Sequence, residues 1–244
     1  MFGAVGSDSF AEPACALLRR DGVDLQGVAR VAASTGIALI HVDAHGENSI
    51  TVIPGANALA RAAQVDDVLL RPGHVLLMQL ETPLIEVQSL ARRARARGVR
   101  VILNAAPITP LPADVLASID VLIVNESEAA SLGASHGIDD PERYAEACNE
   151  RHGPAVIITL GPRGALAFDR SEKLTVPAPS VAVVDSVGAG DAFTGAFAAA
   201  LERGAPFGRA VREGVAAGAL ACTGAGAQAA LPLRCSITAL ADTL

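Results

Sequence analysis

Aromatic residues are scarce in this chain of 244, with six Phe, one Tyr and no Trp. A core short of large rings must be filled by aliphatic side chains and by close approach of small ones. Hydrophobic residues, at 51%, supply ample material for it. There is no basic excess: 19 Lys and Arg stand against 26 Asp and Glu, a net charge of −7. That balance argues against nonspecific binding to nucleic acid. No apolar run reaches the roughly 18 residues of a membrane span, and no secretory or targeting segment follows Met1-Phe2. The four cysteines (Cys15, Cys148, Cys222, Cys235) show neither CxxC pairing nor metal-ligand spacing. They read as reduced, buried thiols in a cytoplasmic protein. Internal repeats and low-complexity linkers are also missing, and the length suits one α/β domain or a small pair.

What is there centres on residues 181–201. Val181, Val183 and Val184 read as a strand ending at Asp185. Gly188-Ala189-Gly190 then reads as a tight turn, Asp191 stands at its end, and Phe193, Ala196, Phe197, Ala200 and Leu201 follow at helical spacing. A glycine turn feeding a helix start presents N–H groups and the positive end of a dipole, a ready anion hole for a phosphoryl group. A carboxylate beside it is placed to take a proton from an attacking hydroxyl. The same residues also fit a plain strand-to-helix connection with Asp191 as a first-turn carboxylate.

The rest alternates between strands and helices. Residues 1–24 read as strand, turn and helix, with Phe10, Ala14, Leu17 and Leu18 as the apolar face. Residues 35–60 read as a hairpin, its runs Ala38–Val42 and Ser49–Ile53 flanking a polar turn with Gly46. His41 and His45 lie there without a Cys or carboxylate cluster, so they read as surface histidines. Residues 74–80 form a buried strand, and Glu81 stands at its C-terminal end, where open α/β sheets place ligands. Thr82 and Pro83 then open a helix that Gly98 ends. Its arginines (Arg92, Arg93, Arg95, Arg97) read as a solvated face suited to a helix C-terminus. Strands follow at 99–107 and Val121–Asn125. The spacing Asn125-x-x-Glu128 allows two readings: a capping box, or an amide and carboxylate that organise hydrated Mg²⁺ and a triphosphate. A helix over 140–153 and a strand Ala155–Leu160 lead into the turn Thr159-Leu160-Gly161-Pro162-Arg163-Gly164. A helix from Ala205-Pro206 carries a stripe of Ala210, Val211, Val215, Ala219 and Leu220. A glycine loop Gly224-Ala225-Gly226-Ala227-Gln228 and a final helix capped by Ser236 close the chain.

Four of these stretches fall in the order found in the ribokinase-like (PfkB) sugar kinases. Asp185-x-x-Gly188-Ala189-Gly190-Asp191-x-Phe193-x-Gly195 resembles that family's signature. LLMQLETP around Glu81, Asn125-x-x-Glu128 and TLGxxG from Thr159 resemble its other elements. The resemblance implies a three-layer α/β/α fold with a mainly parallel sheet and a partial β lid at residues 35–60, all in one kinase domain spanning 1–244. The family's N-terminal strand and glycine-rich sugar loop have no counterpart before GAVGSDSF.

It further implies that Asp191 is the catalytic base and that Gly188, Ala189 and Gly190 form the anion hole. Glu81 and Asp191 would contact the sugar. ATP would be held by Asn125, by Thr159, Leu160, Gly161, Pro162, Arg163 and Gly164, by Gly190 and Asp191, and by Val215. This last residue stands where the family often has a polar adenine contact. Glu128 would hold Mg²⁺ indirectly. Asp185, Val187, Ala221, Gly224, Gly226 and Ala230 would surround K⁺, Ala230 standing where a serine is common. The expected activity is ATP-dependent phosphorylation of D-ribose at O5 in the cytoplasm, with a homodimer through the lid. Two alternatives stay open: a truncated or non-catalytic nucleotide-binding protein of this fold, and a kinase for another pentose or a nucleoside.

Overall fold

The computed structural model describes every residue except 43–47 and 171. The expected polar turn with His45 and Gly46 therefore lies outside the described residues. The chain forms two compact units, one of residues 1–69 with 81–90 and one of residues 70–80 with 91–244.

In the first unit, β1 (Phe2–Val5) pairs in parallel with β2 (Gly27–Arg30), and α1 (Ala11–Arg20) connects them. The expected apolar face of α1 is rotated. Ala11 and Cys15, four apart, are the buried pair, while Phe10 is 55% exposed and Ala14 also faces outward. Phe10 precedes the helix and so cannot lie on its stripe. The loop after β1 is held by Asp8, whose carboxylate accepts the Thr35 N–H and hydroxyl at 2.7 Å each. Gly6 is obligatory there, since a Cβ would stand 2.2 Å from the Ala33 carbonyl oxygen. β3 (Ile37–Val42) and β4 (Asn48–Ile53) form the expected antiparallel hairpin, with Ile37 opposite Ile53.

The second unit is built on a six-stranded sheet in the order β10-β9-β8-β7-β6-β5. Here β5 is Val75–Met78, β6 Arg100–Asn104, β7 Val121–Asn125, β8 Ala155–Thr159, β9 Ala165–Asp169 and β10 Glu172–Val176. β5 to β8 run parallel, β9 pairs antiparallel with β8, and β10 pairs antiparallel with β9. Alternation sorts the central strands into two faces. Ile102, Ile123 and Ile157 pack with Phe193, Phe197 and Leu201 of α6 (Ala189–Glu202) and Val211 and Val215 of α7 (Phe207–Ala221). The opposite face, with Leu103, Leu122 and Ile158, is equally buried. α4 (Glu126–Ala134) and α5 (Pro141–His152) pack on β7 and β8. This is the expected layered α/β fold with a mainly parallel sheet. α2 (Leu84–Arg95) links β5 to β6, and the short α3 (Ala113–Leu116) precedes β7. α8 (Arg234–Ala241) completes the chain.

Four further expectations need correction. β5 is half-buried rather than buried, with Leu77 39% exposed, because it pairs only with β6 among the described residues and forms the sheet edge. Residues 181–184 form no strand. Pro177 and Pro179 lack ladder donors, and Val183 and Val184 are left 67% and 65% exposed. Ser236 lies inside α8, which starts at Arg234 after Pro232. Cys15 and Cys148 are buried free thiols, but Cys222 is half-buried and Cys235 exposed.

Candidate active site

The start of α6 carries the central motif. Gly188 sits just before the helix in the left-handed region, φ +81°, and a Cβ there would lie 2.8 Å from the Ala227 carbonyl oxygen. Glycine is needed for both reasons. The helix begins at Ala189, two residues earlier than a turn through Gly190 implies, so Gly190 and Asp191 occupy its first turn. Their N–H groups have no acceptor within the helix, as at any helix start. A Cβ on Gly190 would meet no atom within 4 Å. Asp191 makes no capping hydrogen bond. It is accessible at the surface, yet burial of its carboxyl pushes the pKa above the ordinary 3.8. An accessible, partly desolvated carboxylate beside open N–H groups can accept a proton while the amides stabilise an anion.

The closing loop is latched to this turn. Asp185 Oδ1 accepts the Val187 N–H and Oδ2 the Gly226 N–H, each at 3.0 Å. These two bonds hold its pKa below the ordinary value. The Ala221 and Gly226 carbonyls accept the N–H groups of Gly224 and Ala230, which leaves each a second lone pair. An ionised carboxylate and several carbonyls in one loop are the oxygen donors that hard cations take.

Parallel pairing sets the next residues side by side. Asn125 ends β7, Thr159 ends β8, and the two are register partners. Asn125 and Glu128 form a full capping box. Asn125 Oδ1 accepts the Glu128 N–H at 2.8 Å, and Glu128 Oε2 accepts the Asn125 N–H at 2.7 Å. The cap reading of this spacing is thus realised, while Asn125 Nδ2 and Glu128 Oε1 take no part in the box. Burial raises the Glu128 pKa. Arg163 donates to Glu126 at 2.6 Å, tying the glycine turn after β8 to the start of α4. Gly164, φ +96°, could not carry a Cβ, which would fall 2.0 Å from the Val176 carbonyl oxygen.

Thr159, Gly161, Pro162 and Gly164 line a cavity of about 690 Å³ together with Gly190 and Val215. Asn125, Leu160, Arg163 and Asp191 are not among its lining residues. Sequence reasoning missed Ala178, Pro179, Ser180, Val181 and Val183, which form one wall, and Ser186, Phe193, Gly218, Ala219 and Cys222. A signal existed: an apolar run directly after two prolines is a poor strand, so its valines needed another use. In the first unit, the Asn57 amide donates at 3.4 Å to Glu81, which stands exposed after β5.

Comparison with known proteins decides the family. Residues 1–234 match the pfkB family carbohydrate kinase. The chain belongs to the pfkB family of carbohydrate kinases. It is 34% identical to the ribokinase of Haemophilus influenzae over 94% of this chain and 77% of that protein. It is 31% identical to the deoxyribokinase of Salmonella typhi over 95% and 78%. Among solved structures, Thermotoga maritima ribokinase superposes with a TM-score of 0.89 at 32% identity, covering 99% of this chain and 80% of that one. Arabidopsis thaliana ribokinase, complexed with ribose and ATP, gives 0.86 at 31%, covering 98% and 80%. This pfkB enzyme is therefore a carbohydrate kinase of ribokinase-like fold. Among the described residues no helix is long and apolar enough to cross a membrane.

Proposed function

We propose that this kinase transfers the terminal phosphoryl group of ATP to O5 of D-ribose, giving ribose 5-phosphate. The observation that carries the reading is the Asp191 carboxylate, accessible and uncapped beside the open N–H groups of the α6 start. Asp191 accepts the proton of the 5-hydroxyl as its oxygen attacks the γ-phosphorus and the bond to the β–γ bridging oxygen breaks. The N–H groups of Gly188 and Gly190 face the charge on the transferring group, whereas that of Ala189, expected to join them, donates to the Ser186 carbonyl at 3.2 Å. ATP and ribose are both held by the Arabidopsis relative, which supports the donor and the acceptor. Glu81 is assigned to the sugar through its match to the family's LETP element.

Asn125 is assigned to the triphosphate of ATP through the amide Nδ2–H outside its capping box, and Glu128 to hydrated Mg²⁺ through the carboxylate oxygen outside it. When bound, the ion neutralises phosphate charge. Asp185, with the backbone of Val187, Ala221, Gly224, Gly226 and Ala230, is assigned to K⁺. All 244 residues would act as one kinase domain in the cytoplasm, with the 35–60 hairpin as a partial lid and dimer surface.

The test is ADP release by the purified chain with Mg²⁺ and K⁺, with and without D-ribose. Ribose-dependent release is expected. Asp191→Asn should keep ATP binding and lose at least about 10²-fold in turnover, the scale of positioned base catalysis. Wild-type turnover in that variant would overturn the role of Asp191. The deoxyribokinase relative favours one second reading, 2-deoxyribose as acceptor, decided by comparing the two pentoses in the same assay.

A further inference from the structure

The 690 Å³ cavity is what the proposed donor must enter, and the inference drawn from it rests on that reading. Its lining divides in two. Ala189 and Gly190 bring the positive start of α6, which suits a phosphate chain. The wall left for a nucleobase is apolar, with Val183, Val215, Ala219 and Phe193. Among the described residues that line the cavity, none carries a carboxylate, an amide, a guanidinium, an ammonium or an imidazole. The polar side chains are three hydroxyls and a thiol, on Thr159, Ser180, Ser186 and Cys222.

That inventory limits what the cavity can read. Adenine presents a donor at C6, whereas hypoxanthine and guanine present an acceptor. An amide or a carboxylate held in place would favour one of these. A hydroxyl rotates to donate to one or accept from the other, so it reads neither. Thr159 is also engaged, since its Oγ1 donates to the Val124 carbonyl at 3.4 Å. A site with a fixed hydrogen-bonding partner discriminates by about 10⁴ to 10⁵, whereas an apolar pocket discriminates by about 10² or less.

We propose that the donor site takes purine nucleoside triphosphates as a class, holding the phosphate chain and leaving the 6-position of the base unread by side chains. ATP, ITP and GTP then all serve as phosphoryl donors.

The experiment measures kcat/KM for ATP, ITP and GTP with the full chain at saturating D-ribose. In parallel, displacement of a fluorescent ADP analogue by ADP, IDP and GDP is followed. A spread below about 100-fold in both series is expected, the limit for an apolar pocket. A larger spread in either would overturn the proposal, because a fixed partner, backbone included, would then be reading the base. Strong preference for ATP with ribose-dependent turnover sinks this inference and leaves the kinase reading intact. Failure of every diphosphate to displace the analogue sinks the donor site itself. Val215→Asn sets an amide into the wall and should widen the wild-type spread at least about tenfold, the gain of one fixed hydrogen-bonding partner. An unchanged spread in that variant would show that the base does not lie against α7, and would overturn the assignment of this wall.

Discussion

Replacing Gly190 by alanine separates folding from chemistry at the α6 start. Gly190 is the second residue of a 14-residue helix, and a Cβ there would meet no atom within 4 Å. The fold therefore has no steric reason to resist. Glycine inside a helix costs about 0.5–1 kcal/mol relative to alanine, so the variant should gain up to about 0.5 kcal/mol at this early position. For a chain of this size that is a rise in Tm of roughly 1–2 °C. The added methyl leans toward the helix N-terminus, as every helical Cβ does. It enters the space in which the open N–H groups would receive a phosphoryl oxygen. Losing one such donor costs about 10²–10³ in kcat. The assay pairs a thermal melt with ribose-dependent ADP release on the same preparation. Higher Tm with at least about 10²-fold lower turnover is the expected pair. Unchanged turnover in a stable variant would refute the anion hole at this helix start.

Gly188→Ala should behave differently, because φ is +81° and its Cβ would lie 2.8 Å from the Ala227 oxygen. A loss of about 1–3 kcal/mol in stability is expected together with lost turnover, read by chemical denaturation. Phe197 is fully buried between Phe193 and Phe207, and Phe197→Ala should cost about 3–5 kcal/mol, visible as a fall in Tm of roughly 10 °C. Burial raises the Asp191 pKa above 3.8, so the stability linked to its proton is full below the unfolded value and lost as pH rises through the folded one. At pH 7 Asp191→Asn should therefore melt no lower than the wild type, and the acid limb of wild-type turnover should lie above the ordinary Asp range. A destabilised Asp191→Asn at neutral pH would contradict the burial argument. Asp185→Ala removes the acceptors of the Val187 and Gly226 N–H groups, whose hydrogen exchange should quicken; unchanged protection would discard the latch.

Much of the layered core was legible because its signals are local. The apolar runs of β6, β7 and β8 are too continuous for a one-sided sheet, and they are buried on both faces. The GAGD motif was legible because a left-handed glycine before a helix leaves few other choices. Asn125 and Glu128 were legible as a pair but not as one use, since a capping box and a cation-organising pair need the same spacing. β2 was missed because the four residues Gly27–Arg30 carry no periodicity, and only pairing with β1 makes them a strand. Residues 181–184 misled for the opposite reason: β-branched composition suggested a ladder partner that the fold does not provide.

The sequence by itself determined most of the helix and strand types, the glycine turns and the order of the motifs, because each depends on residues close in the chain. Through the order of its motifs it also offered Asp185, Asp191, Asn125 and Glu128 as candidate site residues. Only the tertiary structure decided that Asp185 closes on Gly226, 41 residues away, and that Asn125 stands beside Thr159 at neighbouring strand ends. Val183, exposed before Asp185, likewise came to line a cavity only when the fold brought Val215, Gly218 and Ala219 of α7 to the same space. Local rules set backbone conformation, whereas a site is made by long-range pairing and packing, which one-dimensional periodicity does not encode.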